Sequence, residues 1–264
     1  MAFNNKVSRL FGKFANHSFP SIIQKIINSI YVRIFKIDMS EFGDISSYGS
    51  LNALFTRSLC RNRAIDFSKD VLISPCDSLI TECSKIQNDT ALQIKGMSYR
   101  VSELLGERDG LQEEYLYINF YLSPKDYHRY HAPCDMEVLQ VRYFGGELLP
   151  VNKPSLKKNS NLFIKNERVV LVCRDIKGEI MYFVAVGALN VGKMVLHFES
   201  RVETNTTANQ NIVYHYEIPK TIKKGDELGM FKMGSTVVMF IKNIKNPPLC
   251  DTKVRFGDSV GQFV

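Results

Sequence analysis

Two segments near the amino terminus place apolar residues at helical spacing. Isoleucine and aromatic residues recur every three or four positions between residues 22 and 35, and a shorter stretch at 7–14 follows the same rule. Pro20 separates the two stretches and suits the first turn of the second helix. We therefore predict two consecutive amphipathic helices at the start of the chain.

From Val71 onward the pattern changes to short runs rich in valine, isoleucine, tyrosine and phenylalanine. These predicted strands cover residues 115–122, 137–144, 168–174, 180–186, 194–200, 211–218 and 236–242, with a short helix at 101–105. Their spacing predicts an α+β protein whose β-rich core is sandwich-like or barrel-like, rather than a series of βαβ units. We place a helical region at residues 1–66 and the β-rich domain at 67–264.

The formal net charge of +7 is concentrated in the helical region. Residues 1–37 contain no acidic residue and six basic ones: Lys6, Arg9, Lys13, Lys25, Arg33 and Lys36. The simplest alternative is that both helices only cover the core, but basic residues near anionic lipid gain about 1 kcal/mol each. The combination favours a peripheral contact with an anionic membrane surface. Nucleic-acid binding fits less well, because the basic residues alternate with an isoleucine stripe.

Other features narrow the class of protein. No apolar run reaches the roughly 20 residues that span a bilayer. The six cysteines show no Cys-x-x-Cys pair, so we expect reduced thiols in a cytoplasmic protein, held at the inner face of the cell membrane. Neither a phosphate-binding loop nor a dinucleotide-binding glycine motif is present.

His128 and His131 follow directly after a predicted strand, in a segment dense in polar groups. A metal site would need Asp126, Cys134 or Asp135 as a further ligand, and no Glu or third His completes the set, so we predict no metal. A structural role for one histidine is an alternative. General acid or base chemistry by at least one of them is the stronger interpretation.

Eight blocks in one order, between about residues 35 and 240, resemble the proenzymes of the phosphatidylserine decarboxylase family. The blocks are Phe35-Lys36-Ile37-Asp38-Met39, Phe55-Thr56-Arg57, Ser74-Pro75-Cys76-Asp77, Lys95-Gly96-Met97-Ser98-Tyr99, residues 122–133, 161–168, 186–192 and 229–236. The Tyr-His-x-x-His-x-Pro segment combined with Gly-Ser-Thr near the end of the chain is highly specific.

The resemblance assigns roles to five residues. Ser235 corresponds to the self-cleaving serine, His128 and His131 to the paired histidines, and Asp77 to the triad aspartate that orients His131. Cleavage after Gly234 would leave a large chain, residues 1–234, bound to a small chain, residues 235–264. Ser235 would become a covalent pyruvoyl group, the cofactor for converting phosphatidylserine to phosphatidylethanolamine and CO2.

Two other functions use the same residues differently. A Ser-His-Asp lipid hydrolase would keep an intact chain and a free Ser235 hydroxyl. A non-enzymatic β-sandwich that docks on membranes would lose nothing when Ser235 is replaced. The sequence leaves open whether the protein forms a homo-oligomer, which residues bind the phosphate and acyl chains, and how His128 and His131 divide their roles.

Overall fold

The structure is a computed structural model that describes residues 3–111, 114–189, 193–205, 210–232 and 235–264, with backbone only for residues 3–9, 153 and 235. Its helices are α1 (Phe3–Asn16), α2 (Ser21–Phe35), α3 (Leu51–Phe55), α4 (Val101–Leu105), α5 (Lys153–Lys158) and α6 (Leu162–Lys165), with a 3-10 turn at Ile45–Ser47. The two predicted amino-terminal helices are confirmed. Pro20 lies just before α2 as its N-cap rather than inside its first turn.

The strands are β1 (Val71–Ile73), β2 (Ser78–Lys85), β3 (Thr90–Ile94), β4 (Met97–Arg100), β5 (Leu116–Leu122), β6 (Arg129–His131), β7 (Met136–Phe144), β8 (Arg168–Arg174), β9 (Ile180–Val186), β10 (Met194–Leu196), β11 (Asn211–Ile222), β12 (Glu227–Phe231), β13 (Ser235–Ile241), β14 (Ile244–Lys245), β15 (Lys253–Val254) and β16 (Ser259–Phe263). All pairs of these strands run antiparallel, so tight turns and short loops suffice to connect many of them.

One eight-stranded sheet, in the order β11-β7-β8-β9-β13-β5-β2-β15, organises the domain. Alternate side chains of β13 enter different cores: Val237 and Met239 join one, whereas Val238 and Phe240 join the other. The first core is closed by the small sheets β10-β12-β6 and β1-β16-β14, and the second by the β3-β4 hairpin with α4 and α6. The α+β class and the β-rich core are confirmed, and the large sheet is open, with β11 and β15 at its edges.

The amino-terminal helices form their own small cluster, in which Leu51 and Leu54 of α3 contact Ile27 and Tyr31 of α2. Among the described residues, no helix has the length and apolar character that crossing a membrane requires. The boundary between residues 66 and 67 stays a prediction.

Candidate active site

The two sequence segments that carry the paired histidines and the aspartate meet at one end of β6. Asp77 lies in the turn between β1 and β2, and His131 is the last residue of β6. The backbone N–H of His131 donates to the carbonyl of Pro75 in that turn, at 2.8 Å. This bond joins the Ser-Pro-Cys-Asp turn directly to the Tyr-His-x-x-His segment.

His131 is buried and has a partner at each ring nitrogen. Its Nδ1 lies 2.9 Å from the carbonyl oxygen of Gly225, and its Nε2 lies 3.1 Å from the Tyr127 hydroxyl. Because a carbonyl only accepts hydrogen bonds, Nδ1 carries the proton and Nε2 is the basic nitrogen. Phe256 stacks on the ring, with centroids 3.6 Å apart and planes 13° apart.

The Gly225 carbonyl reaches His131 because the backbone turns sharply there. Gly225 has φ +84, a conformation that glycine adopts without the steric cost of a side chain. Its N–H donates to the carbonyl of Ala132 at 2.9 Å, next to His131. The turn is therefore tied to the end of β6 through both its amide and its carbonyl.

His128 has a similar tautomer but a different environment. Its Nδ1 donates to the carbonyl of Asp126 at 2.7 Å, and its ring packs on Phe55 with centroids 3.9 Å apart. The Nε2 atom is buried and has no hydrogen-bond partner among the described residues. His128 thus presents a buried, unpaired basic nitrogen, whose cost in a folded protein calls for a functional explanation.

Burial keeps both rings neutral at physiological pH. It lowers the pKa of His131 to about 4, against smaller raising effects of the Gly225 carbonyl and Glu227. Burial also lowers the pKa of His128 to about 3, and the nearby charge of Arg57 acts in the same direction. A neutral imidazole with a free Nε2 lone pair is the form that acts as a general base.

Asp77 has partners other than His131. Arg63 donates two hydrogen bonds to its carboxylate, at 2.5 and 3.0 Å, and the backbone N–H of Phe256 donates a third at 2.8 Å. The resemblance implies that Asp77 orients His131, yet both ring nitrogens of His131 bind other groups. Asp77 is instead connected to His131 through Phe256, whose amide it binds and whose ring stacks on the imidazole.

Ser235 is the first residue of β13, and its backbone pairs with Leu122 of β5. Gly234 and the side chain of Ser235, which form the predicted cleavage junction, lie outside the described residues. On the amino-terminal side of these residues, the N–H of Phe231 donates to the carbonyl of His128 at 2.9 Å. The loop at residues 123–127 therefore bridges the same two attachment points as the segment that contains the junction.

A cavity of about 710 Å³ lies beside this loop. Its wall includes Asp77, Tyr127 and Tyr121, the last being the chain neighbour of Leu122. Five basic and four acidic side chains line it: Lys36, Arg57, Lys125, Lys253, Arg255, Asp38, Glu41, Asp77 and Asp126. Glu41 forms ion pairs with Arg63 and with Arg255. Among the residues of the cavity wall, the charges of Glu41 and Arg255 are therefore already paired with each other.

Arg57, in the wall of the cavity, supports the loop that precedes His128. Its side chain is buried, and its Nη2 donates to the carbonyls of Lys125 and Asp126 at 2.7 and 3.1 Å. In return, the Nε of Arg129 donates to the carbonyl of Thr56 at 2.9 Å. The Phe55-Thr56-Arg57 block is thus the support on which the loop before His128 rests.

The residues considered as metal ligands have separate partners. The Cys134 thiol is buried against the Met181 sulfur at 3.8 Å, and Asp135 accepts from the Lys224 amide at 2.8 Å. Asp126 accepts from the amide and the hydroxyl of Ser123. Within the described ranges, no three His, Cys, Asp or Glu side chains come together as a metal site.

Sequence reasoning missed Tyr127, Arg63 and Phe256. Tyr127 lies inside the segment at residues 122–133 that resembles the family. Its spacing along the chain does not indicate that its hydroxyl contacts His131. Arg63 and Phe256 lie 14 and 179 residues from Asp77, outside any local pattern.

Comparison with known proteins places the chain in a family. The sequence model of the phosphatidylserine decarboxylase family matches residues 51–262. The chain is similar to the phosphatidylserine decarboxylase proenzyme of Helicobacter pylori (strain ATCC 700392 / 26695), at 57% identity over 100% of this chain and 98% of that protein. It is 47% identical to the proenzyme of that name from Campylobacter jejuni, over 90% and 91% of the two chains, and 38% identical to that of Herminiimonas arsenicoxydans, over 89% and 82%. The resemblance drawn from the motifs is confirmed, and the chain belongs to the phosphatidylserine decarboxylase family.

Proposed function

We propose that this protein decarboxylates phosphatidylserine to phosphatidylethanolamine and CO2, using a pyruvoyl group that it forms from Ser235 by self-cleavage. The observation that carries the proposal is the pair of neutral buried histidines in the segment that follows β5, the strand whose Leu122 pairs with Ser235. Each has its Nδ1 tied to a carbonyl and its Nε2 left basic. Family membership supplies the reaction, and this pair supplies the proton chemistry that both cleavage and decarboxylation need.

In the cleavage step Ser235 is the nucleophile and His131 the general base. The serine oxygen attacks the carbonyl carbon of Gly234, the C–N bond breaks, and an ester joins the two parts of the chain. Asp77 keeps His131 in place through Phe256, whose amide it binds and whose ring stacks on the imidazole. β-Elimination of the ester would then free Gly234 as a carboxylate and leave dehydroalanine at position 235, which takes up water and loses ammonia to give the pyruvoyl group. This separates residues 1–234 from residues 235–264.

The residues around β13 fit a pyruvoyl group at position 235. Such a group would supply a ketone for the substrate amine and an adjacent carbonyl as the sink for the electrons released with CO2. The backbone of β13 holds position 235 against Leu122 of β5. His128, which precedes β6 and accepts from the N–H of Phe231 through its carbonyl, brings a buried Nε2 that lacks a partner among the described residues and is able to hold or deliver a proton.

The cavity supplies charges for the lipid head group. Lys36, Lys125 and Lys253 line it, and within the described ranges none of them takes part in an ion pair. Phosphatidylserine brings a phosphate and a carboxylate, which such lysines bind as point charges. We assign the phosphate to these three side chains.

Helix α2 is oriented for contact with a membrane surface. Its buried residues are polar: Gln24 donates to Asn28 at 2.8 Å, and Asn28 donates to the carbonyl of Tyr48 at 2.9 Å. Four of its isoleucines, Ile22, Ile26, Ile30 and Ile34, are each more than half exposed, whereas Ile27 packs against α3. A soluble helix ordinarily turns its apolar face inward, so this reversal supports peripheral binding to anionic lipid at the cytoplasmic face. Because Lys36 caps α2 and also lines the cavity, such binding would bring the cavity to the lipid head groups.

Denaturing gel electrophoresis with mass spectrometry and CO2 release from phosphatidylserine test the proposal. The wild-type protein should give a large chain and a small chain of about 3.4 kDa, scaled from 30 of 264 residues in a 30.2 kDa protein. The small chain should have a blocked amino terminus that reacts with carbonyl reagents. Ser235→Ala should stay a single inactive chain.

The two rival functions give different results in the same experiment. A lipid hydrolase predicts an intact wild-type chain whose serine oxygen is labelled by acylating inhibitors. A membrane-docking protein without enzymatic activity predicts no CO2 and no effect of Ser235→Ala. An intact wild-type protein that releases CO2 with an ordinary serine at 235 would overturn the pyruvoyl mechanism.

A further inference from the structure

Arg57 is a buried positive charge that no carboxylate of the described chain neutralises directly. Its side chain is 2% exposed, and in the part of the chain that the structure describes it forms no ion pair. Its Nη2 donates to the carbonyls of Lys125 and Asp126, and its Nη1 donates to the carbonyl of Leu54 at 3.4 Å. Its Nε is buried and has no hydrogen-bond partner among the described residues. Because buried charges in proteins are ordinarily paired, this arrangement calls for an anion from outside the chain.

The acidic groups near Arg57 have other partners. Asp77 and Asp126 are the carboxylates whose charges act on the guanidinium. Asp77 accepts two hydrogen bonds from Arg63. The carboxylate of Asp126 accepts from the amide and the hydroxyl of Ser123, both at 2.6 Å. Neither carboxylate forms an ion pair with Arg57, so its charge is available to a ligand.

Arg168 shows how a buried arginine in the same protein is satisfied when its role is structural. It too is buried without an ion pair in the described ranges, and each guanidinium carbon lies over a phenylalanine ring, at 4.4 Å for Arg57 and 4.3 Å for Arg168. All three side-chain nitrogens of Arg168 donate to backbone carbonyls, at 2.6–3.0 Å. Arg57 differs in two ways, because its Nε is unpaired and because it lines the cavity.

The charge of Arg57 lies next to His128. The carbonyl oxygen of Asp126 accepts from Nη2 of Arg57 at 3.1 Å and from Nδ1 of His128 at 2.7 Å. One acceptor atom therefore holds the guanidinium and the imidazole side by side. An anion that binds Arg57 from the cavity would lie close to the histidine whose Nε2 is unpaired.

We propose that Arg57 binds the carboxylate of the phosphatidylserine head group, an assignment that rests on the proposed function. That head group carries two anionic groups, and the proposed function already gives its phosphate to three lysines of the cavity wall. The carboxylate is the remaining anion, and it alone distinguishes the substrate from phosphatidylethanolamine. A site built around a buried charge rejects a ligand that leaves this charge unpaired. Arg57 therefore selects the serine head group, and loss of CO2 favours release of the product.

Binding of soluble head groups to the full-length Ser235→Ala chain, which cannot form a pyruvoyl group and so cannot consume them, tests the assignment. Calorimetric titration compares glycerophosphoserine with glycerophosphoethanolamine, which lacks the carboxylate. We expect the first to bind at least about tenfold more tightly, the range for one hydrogen bond to a charged group. Adding Arg57→Gln should reduce this preference below about threefold. Adding Arg168→Gln, the matched control that removes the same charge away from the cavity, should preserve it.

A second measurement leaves residue 57 unchanged and decides the question where Arg57→Gln does not fold. In NMR spectra of the Ser235→Ala chain, the ring signals of His128 are identified by their loss in His128→Gln. Glycerophosphoserine should shift these signals, and glycerophosphoethanolamine should shift them much less.

Three results would overturn the assignment: equal affinities for the two head groups, a preference that survives Arg57→Gln in a folded protein, or His128 signals that saturating glycerophosphoserine leaves unchanged. Each of them leaves the proposed function standing if the wild-type protein cleaves and releases CO2 from phosphatidylserine. A wild-type protein that does neither would overturn the proposed function itself, and the assignment with it.

Discussion

Asp77 acts on the site through its neighbours. Its carboxylate binds Arg63 and the Phe256 amide, and Phe256 covers the face of His131. We predict that His131→Ala slows chain cleavage by at least about 100-fold because the base itself is lost. Asp77→Ala should slow it by a smaller factor because the imidazole keeps the Gly225 bond. Quantifying the uncleaved chain on gels over time checks the order, and faster cleavage in His131→Ala than in Asp77→Ala would contradict it.

The buried histidines also predict how stability depends on pH. Burial lowers the pKa of His131 to about 4 and that of His128 to about 3, from an ordinary value of 6.5. As the pH falls below 6.5, these two histidines become protonated in the unfolded chain but stay neutral in the folded chain. The free energy of unfolding therefore decreases until the pH reaches the lower pKa values of the folded state. The expected loss is about 1.4 kcal/mol per pH unit for each histidine.

Urea unfolding of the uncleaved Ser235→Ala variant between pH 6 and pH 4.5 measures this slope. Adding His131→Gln should reduce the slope by about 1.4 kcal/mol per pH unit, since one of the two groups no longer titrates. The comparison of the two variants cancels the contribution of carboxylates, which titrate in both. An unchanged slope would show that His131 accepts protons in the folded protein as readily as in the unfolded one.

Sequence reasoning singled out His128 and His131 but not their partners. The spacing of His128 and His131 after a strand was visible in the sequence, and the family motif added Asp77. The partners of His131 are Tyr127, Gly225 and Phe256, two of which lie about 100 residues or more away along the chain. Such contacts depend on how β6 packs against distant segments, namely the turn before β12 and the residues after β15. A local sequence pattern does not predict this packing.

At the scale of elements, helix α2 exposes most of its isoleucines and buries two hydrogen-bonded polar residues. We predict that Ile22→Asn combined with Ile26→Asn weakens binding to anionic vesicles by at least about tenfold, because each isoleucine loses apolar burial worth about 1.5–3 kcal/mol when complete. Ile218→Asn is the matched control, since Ile218 is an isoleucine on β11 that is more exposed than Ile22 or Ile26 and lies outside the helical region. Vesicle flotation checks both variants.

Salt distinguishes the two contributions to this binding. Exposed charge attraction is screened within about 10 Å at 0.1 M salt, whereas apolar insertion is not. Binding should therefore weaken with rising salt in wild type, and the protein without residues 1–36 should lose it while its core still folds. Unchanged vesicle binding by the truncated protein would show that the helices only cover the core.

The strands that sequence reasoning placed most accurately are those with a continuous apolar run. Residues 168–174 and 180–186 coincide with β8 and β9, and 101–105 with α4. The strand predicted at 211–218 in fact continues to Ile222, because a bulge between His215 and Lys220 accommodates Pro219 in β11. The three-residue strands β1 and β6 were missed because polar turn residues surround them and tertiary pairing alone holds them.

At the scale of the whole molecule, the proposed cleavage leaves the central strand of the sheet on the small chain. β13 pairs with β5 on one side and β9 on the other, and its side chains are buried in both cores. The small chain would also contribute β14, β15 and β16, the Arg255 ion pair with Glu41, and Phe256 on His131. The proposed active site would thus be completed by both products of one cleavage.

We therefore predict that the two chains stay together in dilute native buffer. Removing residues 235–264 would expose two apolar cores and the hydrogen-bonding edges of β5 and β9, a cost far above that of releasing a surface strand. Native mass spectrometry of the cleaved protein should give one species of nearly the mass of the uncleaved Ser235→Ala chain, and only denaturant should release the small chain. Spontaneous loss of the small chain during gel filtration at micromolar concentration would contradict this, and would mean that β13 contributes less to the sheet than its two-sided pairing indicates.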